Sequence, residues 1–335
     1  MSLDQALRFS VAPMMEWTDR ECRMLHRLLC PSALLYTEMV GEAAVRHGPT
    51  ERLLAFSPEE RPLALQLGGS DPEGLASAVR LACAHGYDEI NLNVGCPSDR
   101  VQSGAFGACL MRRPGLVAEC VTAMIDAARG AGTAAPEITV KCRIGVDEQD
   151  PAEALPAFLS AVAAAGVRRV IVHARKAWLS GLSPKENRDV PPLDYPLVAK
   201  MRAAFPALQI VLNGGIPDLD AAAEHLEAGV AGVMLGRAAY HEPFAVLGRA
   251  ESRIFGRADP QPNPEAAVEA MRPYIDRRLG EGVRLHQITR HMLGLFNGRP
   301  GARAWRRILS SEAVRPGAGL EVLDHALEPL RRAAA

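Results

Sequence analysis

Between Phe9 and Leu235 the chain places eight short apolar runs, most of them separated by Ala/Leu-rich stretches of helical length. The runs are Phe9–Ala12, Leu34–Thr37, Leu63–Leu67, Glu89–Val94, Ile138–Arg143, Val170–His173, Ile210–Asn213 and Gly232–Leu235. Amphipathic segments such as Glu73–His85, Val117–Arg129, Ala152–Ala165 and Leu219–Ala228 lie between them. A strand, then a helix, then a strand forces parallel neighbours, because each crossover returns the chain to the same end of the sheet. Eight such units predict a closed (β/α)8 TIM barrel. A doubly wound sheet is the competing reading. A Gly-x-Gly-x-x-Gly turn after the first strand would support it, and Phe9–Met15 has none.

Beyond the last run, Asp259–Pro264 reads Asp-Pro-Gln-Pro-Asn-Pro. Each proline fixes φ and removes a donor, so regular structure stops there. The segments Glu265–Gly280, Val283–Gly294, Pro300–Ser310 and Leu320–Arg332 then read as helices. The expected architecture is a catalytic barrel over residues 1–255, followed by a small all-helical C-terminal domain over 256–335.

Composition excludes several classes. No run of 18 apolar residues occurs, so no membrane span is expected, and Met1–Arg8 does not read as a signal peptide. The seven cysteines are odd in number, form no C-x-x-C pair and show no zinc-type spacing. That pattern predicts free thiols, a reducing cytoplasmic setting and no metal. Nothing calls for an obligate protein partner, and a monomer is expected.

Net charge is −1, but its distribution is uneven. From Pro243 onward there are 15 Arg, no Lys and 10 acidic residues, against 23 basic and 29 acidic residues before it. An Arg-rich tail is a candidate footprint for a polyanion. The whole chain has only four Lys, so a general preference for Arg over Lys explains the tail equally well.

In a barrel of this kind the reacting groups stand at the C-terminal ends of the strands. Here strand one ends in Ala12-Pro13-Met14-Met15 and strand three near Gln66. Strand four carries Asn91 and Asn93, then Gly95-Cys96-Pro97, and strand five carries Lys141 and Arg143. Strand six ends in His173-Ala174-Arg175-Lys176, strand seven in Asn213-Gly214-Gly215 and strand eight in Leu235-Gly236-Arg237. Amides and charges at the ends of apolar strands need a polar partner, because burying them unpaired costs several kcal/mol, about 2–7. Glycines after strands seven and eight commonly build a phosphate site from backbone N–H groups, to which Arg237 adds a side-chain donor. Lys141, His173, Gln66 and Asn93 would then ring a flat heterocycle resting on strands one and three. Flavin mononucleotide fits this set. An ordinary barrel holding some other sugar phosphate would present the same glycines.

Cys96 differs from the other cysteines. Cys22, Cys30, Cys83, Cys109, Cys120 and Cys142 read as packing residues within helical or strand stretches. Cys96 lies in Asn93-Val94-Gly95-Cys96-Pro97-Ser98, just past a strand, where a thiol can face substrate and transfer a proton.

At these residues the chain resembles a known family. Asn91-Leu92-Asn93-Val94-Gly95-Cys96-Pro97-Ser98 is similar to the active-site signature of the tRNA-dihydrouridine synthases. Ala12-Pro13-Met14, Lys141-Cys142-Arg143-Ile144-Gly145, His173-Ala174-Arg175 and Asn213-Gly214-Gly215-Ile216 follow in the family's order. The segment His173–Arg188 is similar to the A-type subfamily, which modifies D-loop positions 20 and 20a of tRNA. The resemblance implies that NADPH reduces FMN, that hydride reaches C6 of a uracil ring, and that Cys96 protonates C5 from the opposite face. It implies a flavin resting on Pro13, Met14 and Met15, with Gln66, Lys141 and His173 at its ring and ribityl chain. Asn213, Gly214, Gly215, Gly236 and Arg237 would hold the ribityl and phosphate end. Asn93, Arg175 and Lys176 become candidates for the uridine.

A uridine stacked in folded tRNA has to be extruded to reach such a site, which calls for a second surface on the RNA backbone. Arg299, Arg303, Arg306 and Arg307 cluster at one helix start, and Lys185 and Arg188 lie on the long loop after strand six. Each is a candidate tRNA contact, with a solvated surface charge as the alternative. Two other functions compete. A barrel reducing a free pyrimidine, as dihydroorotate dehydrogenases do, needs no basic helical domain. A non-catalytic RNA-binding protein has no use for Cys96, Lys141 and His173 together.

Overall fold

The computed structural model describes residues 3–98, 104–130, 132 and 135–334. Eight strands form one parallel sheet: β1 (Phe9–Val11), β2 (Leu35–Gly41), β3 (Leu63–Gly68), β4 (Glu89–Val94), β5 (Glu137–Arg143), β6 (Arg169–His173), β7 (Gln209–Asn213) and β8 (Gly232–Leu235). Neighbours follow the chain order, with β1 paired to β8. The sheet closes between β1 and β2, where Val11 N–H donates to Leu34 O (3.0 Å) and Leu34 N–H to Phe9 O (3.1 Å). The (β/α)8 barrel expected from the sequence is present, and helices follow it at the C-terminal end.

The helices used below are α1 (Arg20–Leu29), α2 (Pro72–Cys83), α3 (Pro114–Arg129), α4 (Pro151–Ala164), α5 (Tyr195–Ala204), α6 (Leu219–Glu227), α7 (Arg237–His241), α8 (Pro264–Gly280), α9 (Leu285–Thr289), α10 (Ala302–Glu312) and α11 (Glu321–Ala334). Asp19, Asp71, Asp150, Asp194 and Asp218 cap α1, α2, α4, α5 and α6, each carboxylate accepting a backbone N–H of the first turn. Proline in the first turn of α2, α3, α4, α5 and α8 suits the fixed φ of a helix start.

The main core lies between the strands and the helix ring. A second, smaller cluster plugs the barrel floor with Ala6, Leu7, Leu34, Tyr36, Ala64, Ile171, Val211 and Met234, and Ala12 belongs to it. Glu89 and Arg169 are buried beside this plug at the starts of β4 and β6, and above them the interior stays polar with Gln66, Asn91, Asn93 and Thr139 buried.

Two elements differ from the sequence expectation. β2 runs on to Gly41 with an irregular register between Tyr36 and Met39. There Thr37 Oγ1 donates to Glu38 O (2.7 Å) and accepts from Gln66 N–H (3.1 Å), so a side chain takes over part of the ladder. The helix expected over Val283–Gly294 is instead α9 followed by a 3-10 turn, Arg290–Met292. Thr289 Oγ1 bonds back to Leu285 O (3.2 Å), a side-chain bond that competes with the helix ladder. The turn sets His291 Nε2 3.0 Å from Asp19 Oδ1, the cap of α1.

The C-terminal helices dock on α1 through buried polar groups. Arg278 Nη2 lies 2.7 Å from Glu21 Oε1, and the Tyr274 hydroxyl donates to Glu21 Oε2. Trp305 is fully buried, its indole N–H on Met292 O (3.0 Å).

Candidate active site

β4 turns Glu89, Asn91 and Asn93 to one face at two-residue spacing, and each finds a side-chain partner on a neighbouring strand. Asn93 Nδ2 donates to Gln66 Oε1, Gln66 Nε2 to Asn91 Oδ1, and Asn91 Nδ2 to Thr139 Oγ1, each at 2.8 Å. Asn93 Oδ1 accepts the backbone N–H groups of Gly95 (3.0 Å) and Cys96 (2.9 Å). This turn seats Cys96 at the barrel mouth, half-buried, with Sγ 3.5 Å from Ser98 Oγ.

β5 contributes two cations. Lys141 is half-buried and has no hydrogen-bond partner among the described residues. Desolvation, then the neighbouring charge of Arg143, lowers its amine to about 8. Arg143 is buried, which lowers it to about 9, and it donates to Gly95 O (3.2 Å), Lys176 O (3.2 Å) and Asn187 O (2.9 Å). One guanidinium thereby holds the Cys96 loop and the loop after β6. The sequence places Arg143 on strand five without showing what it binds. The available signal was a charge standing in an otherwise apolar strand.

β6 ends on His173, which is 8 % exposed. Desolvation first, then Arg143, Lys141, Arg175 and Arg188, push its imidazole well below the ordinary range, so the ring is neutral. Its seat depends on Gly214, whose φ is +106° and whose missing Cβ would sit 2.7 Å from His173 Nε2 and closer still to Cδ2. Asn213 Nδ2 donates to Met234 O (2.7 Å), and the Tyr195 hydroxyl donates to Gly214 O (2.6 Å). Gly215, also at positive φ, fits under Leu193. Gly236 caps α7, and a Cβ there would reach Met14 Sδ at 3.4 Å, so Met14 lies against the strand-eight turn. Pro13 is half-buried and Met15 is 53 % exposed. Beyond them, Trp17 stacks on Tyr240 with ring centroids 4.3 Å apart.

The loop after β6 folds back on itself. Asn187 is its hub: Oδ1 accepts Trp178 N–H (2.7 Å) and Nδ2 donates to Trp178 O (2.9 Å). Arg175 donates to Pro191 O and Asp189 O, while its buried Nε has no partner among the described residues. Lys176 Nζ stands 5.4 Å from the centre of the Trp178 ring. Lys185 and Arg188 are exposed.

The structure thus gathers Met14, Gln66, Asn93, Cys96, Lys141, His173, Gly214 and Gly236 at the strand ends. Arg237 stands there too, but its Nη2 is paired with Asp189 Oδ1 (2.7 Å), a partner the sequence did not reveal. The remaining basic candidates belong to the C-terminal helices. Arg299 pairs with Glu265 (3.2 Å) and Arg306 Nη1 donates to Asn297 Oδ1 (2.6 Å). Arg303 and Arg307 are exposed on α10, away from the buried Trp305, Ile308 and Leu309.

A closed parallel barrel whose strand ends gather a thiol, an amine, a neutral imidazole and several guanidinium groups defines a (β/α)8 enzyme. The chain belongs to the dihydrouridine synthase family: the family described as "Dihydrouridine synthase (Dus)" matches residues 10–331. Curated relatives named "tRNA-dihydrouridine(20/20a) synthase" are similar over nearly the full length. The protein of Xanthomonas campestris pv. campestris is 56% identical over 321 residues, covering 96% of this chain and 93% of that one. That of Escherichia coli (strain K12) is 56% identical over 322 residues, with 96% and 91% covered. That of Vibrio cholerae serotype O1 is 52% identical over 329 residues, with 97% of each covered. Family membership makes the chain an oxidoreductase and sets aside both the free-pyrimidine dehydrogenase and the non-catalytic RNA-binding readings.

Proposed function

We propose that this enzyme reduces the C5–C6 double bond of D-loop uridines 20 and 20a in tRNA, the positions given in its relatives' names. The observation that carries the reading is Cys96, held at the barrel mouth by Asn93 inside the family's signature sequence. Cys96 donates the proton that C5 of the ring requires. Flavin mononucleotide, when bound, supplies the hydride for C6, with NADPH as the reductant.

The residues present fit that cofactor. Lys141 offers an ammonium below about pH 8 with no side-chain hydrogen bond among the described residues, and His173 a neutral ring that donates or accepts. Arg175 carries a buried N–H with no acceptor among the described residues. Gln66, Lys141 and His173 would hold the ring and ribityl chain over Pro13, Met14 and Met15. Asn213, Gly214, Gly215, Gly236 and Arg237 would hold the ribityl and phosphate end, the phosphate competing with Asp189 for Arg237. Asn93, Arg175 and Lys176 would meet the uridine.

Residues 256–335 form the tRNA platform in this reading. Arg303 and Arg306, with Arg299, face the RNA backbone from that side, and Lys185 and Arg188 do so from the barrel. The enzyme acts as a cytoplasmic monomer, where Cys96 stays reduced. Dihydrouridine mapping on bulk tRNA from a strain lacking the gene, with and without its return, tests the proposal. Loss and rescue at positions 20 and 20a support it. Loss at a different D-loop site overturns the positional assignment, and unchanged dihydrouridine overturns the reaction.

A further inference from the structure

Glu89, Thr139 and Asn91 take no part in the proposed reaction, yet an unbroken line of hydrogen bonds joins them to Cys96. At the lower end Glu89 is fully buried. Its Oε1 accepts the hydroxyls of Thr139 (2.6 Å) and Tyr36, and its Oε2 accepts Arg169 Nη1 (2.8 Å). With every neighbour donating, the carboxylate is acceptor only.

That fixes the direction of each bond above it. Thr139 uses its one proton on Glu89, so its oxygen accepts from Asn91 Nδ2. Asn91 Oδ1 is left to accept Gln66 Nε2, and Gln66 Oε1 to accept Asn93 Nδ2. Asn93 Oδ1 remains for the N–H groups of Gly95 and Cys96, which can only donate. Both ends demand the same polarity. Flipping one amide would set donor against donor and acceptor against acceptor in a buried site, leaving groups desolvated and unpaired.

We propose that Glu89 and Thr139 are positioning residues for Cys96: the carboxylate at the barrel floor orients the Asn91–Gln66–Asn93 amides and so holds the catalytic loop. The proposal rests on Cys96 as the proton donor. Thr139 is the place to cut the line, since Thr139→Val keeps shape and removes donor and acceptor together, whereas Thr139→Ser keeps both.

The test uses full-length flavin-loaded protein and three readouts: kcat and KM on tRNA, the rate of Cys96 alkylation by iodoacetamide followed by peptide mass spectrometry, and Tm. Thr139→Val is expected to lower kcat about tenfold, equivalent to about 1.4 kcal/mol, with KM for tRNA unchanged. Release of the loop should also speed alkylation of Cys96. Thr139→Ser should restore both. Wild-type kcat and alkylation in Thr139→Val overturns the proposal, as does a loss that follows Tm and that Ser fails to rescue. If the wild-type chain makes no dihydrouridine, the functional reading fails, and the alkylation rates alone then decide whether the line positions the loop.

Discussion

Asn93 Oδ1 lies 2.9 Å from the backbone nitrogen of Cys96 and 3.0 Å from that of Gly95, so one side-chain oxygen closes the turn that presents the thiol. An Asn at the end of a strand provides this because its short side chain caps its own following N–H groups. Removing the thiol leaves that turn intact. Cys96→Ala should therefore keep bound flavin and NADPH oxidation while cutting dihydrouridine formation by about 10²–10⁴-fold, the usual range for a lost proton donor. Single-turnover reduction of tRNA by pre-reduced enzyme checks it, and a wild-type rate would remove Cys96 from the mechanism.

Lys141 sets a pH dependence. Its amine is lowered from 10.5 to about 8, so it is charged at neutral pH and loses its proton through the window around 8. A hydrogen bond donated by the ammonium to an acceptor of the bound flavin favours the charged form, so flavin affinity should fall as pH rises from about 7 to 9. Lys141→Met should bind more weakly at pH 7 and lose that dependence. Fluorescence titration with FMN across this range is the measurement. A wild-type slope in the Met variant would assign the dependence to another group.

Gly214 should tolerate no side chain. Its φ of +106° disfavours any L residue, and a Cβ would press on His173. Gly214→Ala is expected to lose about 1–3 kcal/mol from backbone strain alone, with more from displacement of His173. Urea unfolding measures it: a loss no larger than the strain would mean that the imidazole moves aside freely, and an unchanged midpoint would overturn the strain argument as well.

The polar docking of α8 on α1 centres on one buried carboxylate. Glu21 receives Arg278 and Tyr274, and removing the guanidinium strands a charge that is 7 % exposed. Arg278→Met should destabilise the protein by about 3 kcal/mol, whereas Arg278→Met with Glu21→Gln should recover part of that loss. Thermal unfolding of the single and double variants checks the coupling.

Replacing Arg303 and Arg306 together should weaken tRNA binding and reduce the slope of log K against log salt by about 1–2, since a phosphate that no guanidinium neutralises keeps its counterion. Arg303 is the cleaner probe, because Arg306 also bonds Asn297. An unaltered slope would place the RNA elsewhere.

The barrel was legible in the sequence because parallel strands buried on both faces read as short apolar runs, and glycines and prolines mark their ends. The strand ends at Cys96, Lys141, His173 and Gly214 stood out as polar groups where packing alone asks for none. Partnerships across the chain did not. Nothing near Arg237 in sequence announces Asp189, and nothing near Arg143 announces Asn187; such pairs exist only once loops meet in space. The short α9 was missed because its end is decided by Thr289 and by the docking of His291 on Asp19, neither of which has a periodic signature.

Arg143 reaches from inside the barrel wall to the carbonyls of Gly95, Lys176 and Asn187, and so stitches two loops to one strand. These contacts pin Gly95 on one loop and Lys176 and Asn187 on the other. In the proposed reaction, a mouth pinned at those three points leaves the larger share of adaptation to the nucleic acid. Recognition in that proposed reaction becomes a measure of how readily a given stretch of RNA deforms, and a loop already loosened by its own architecture is admitted ahead of a rigid one.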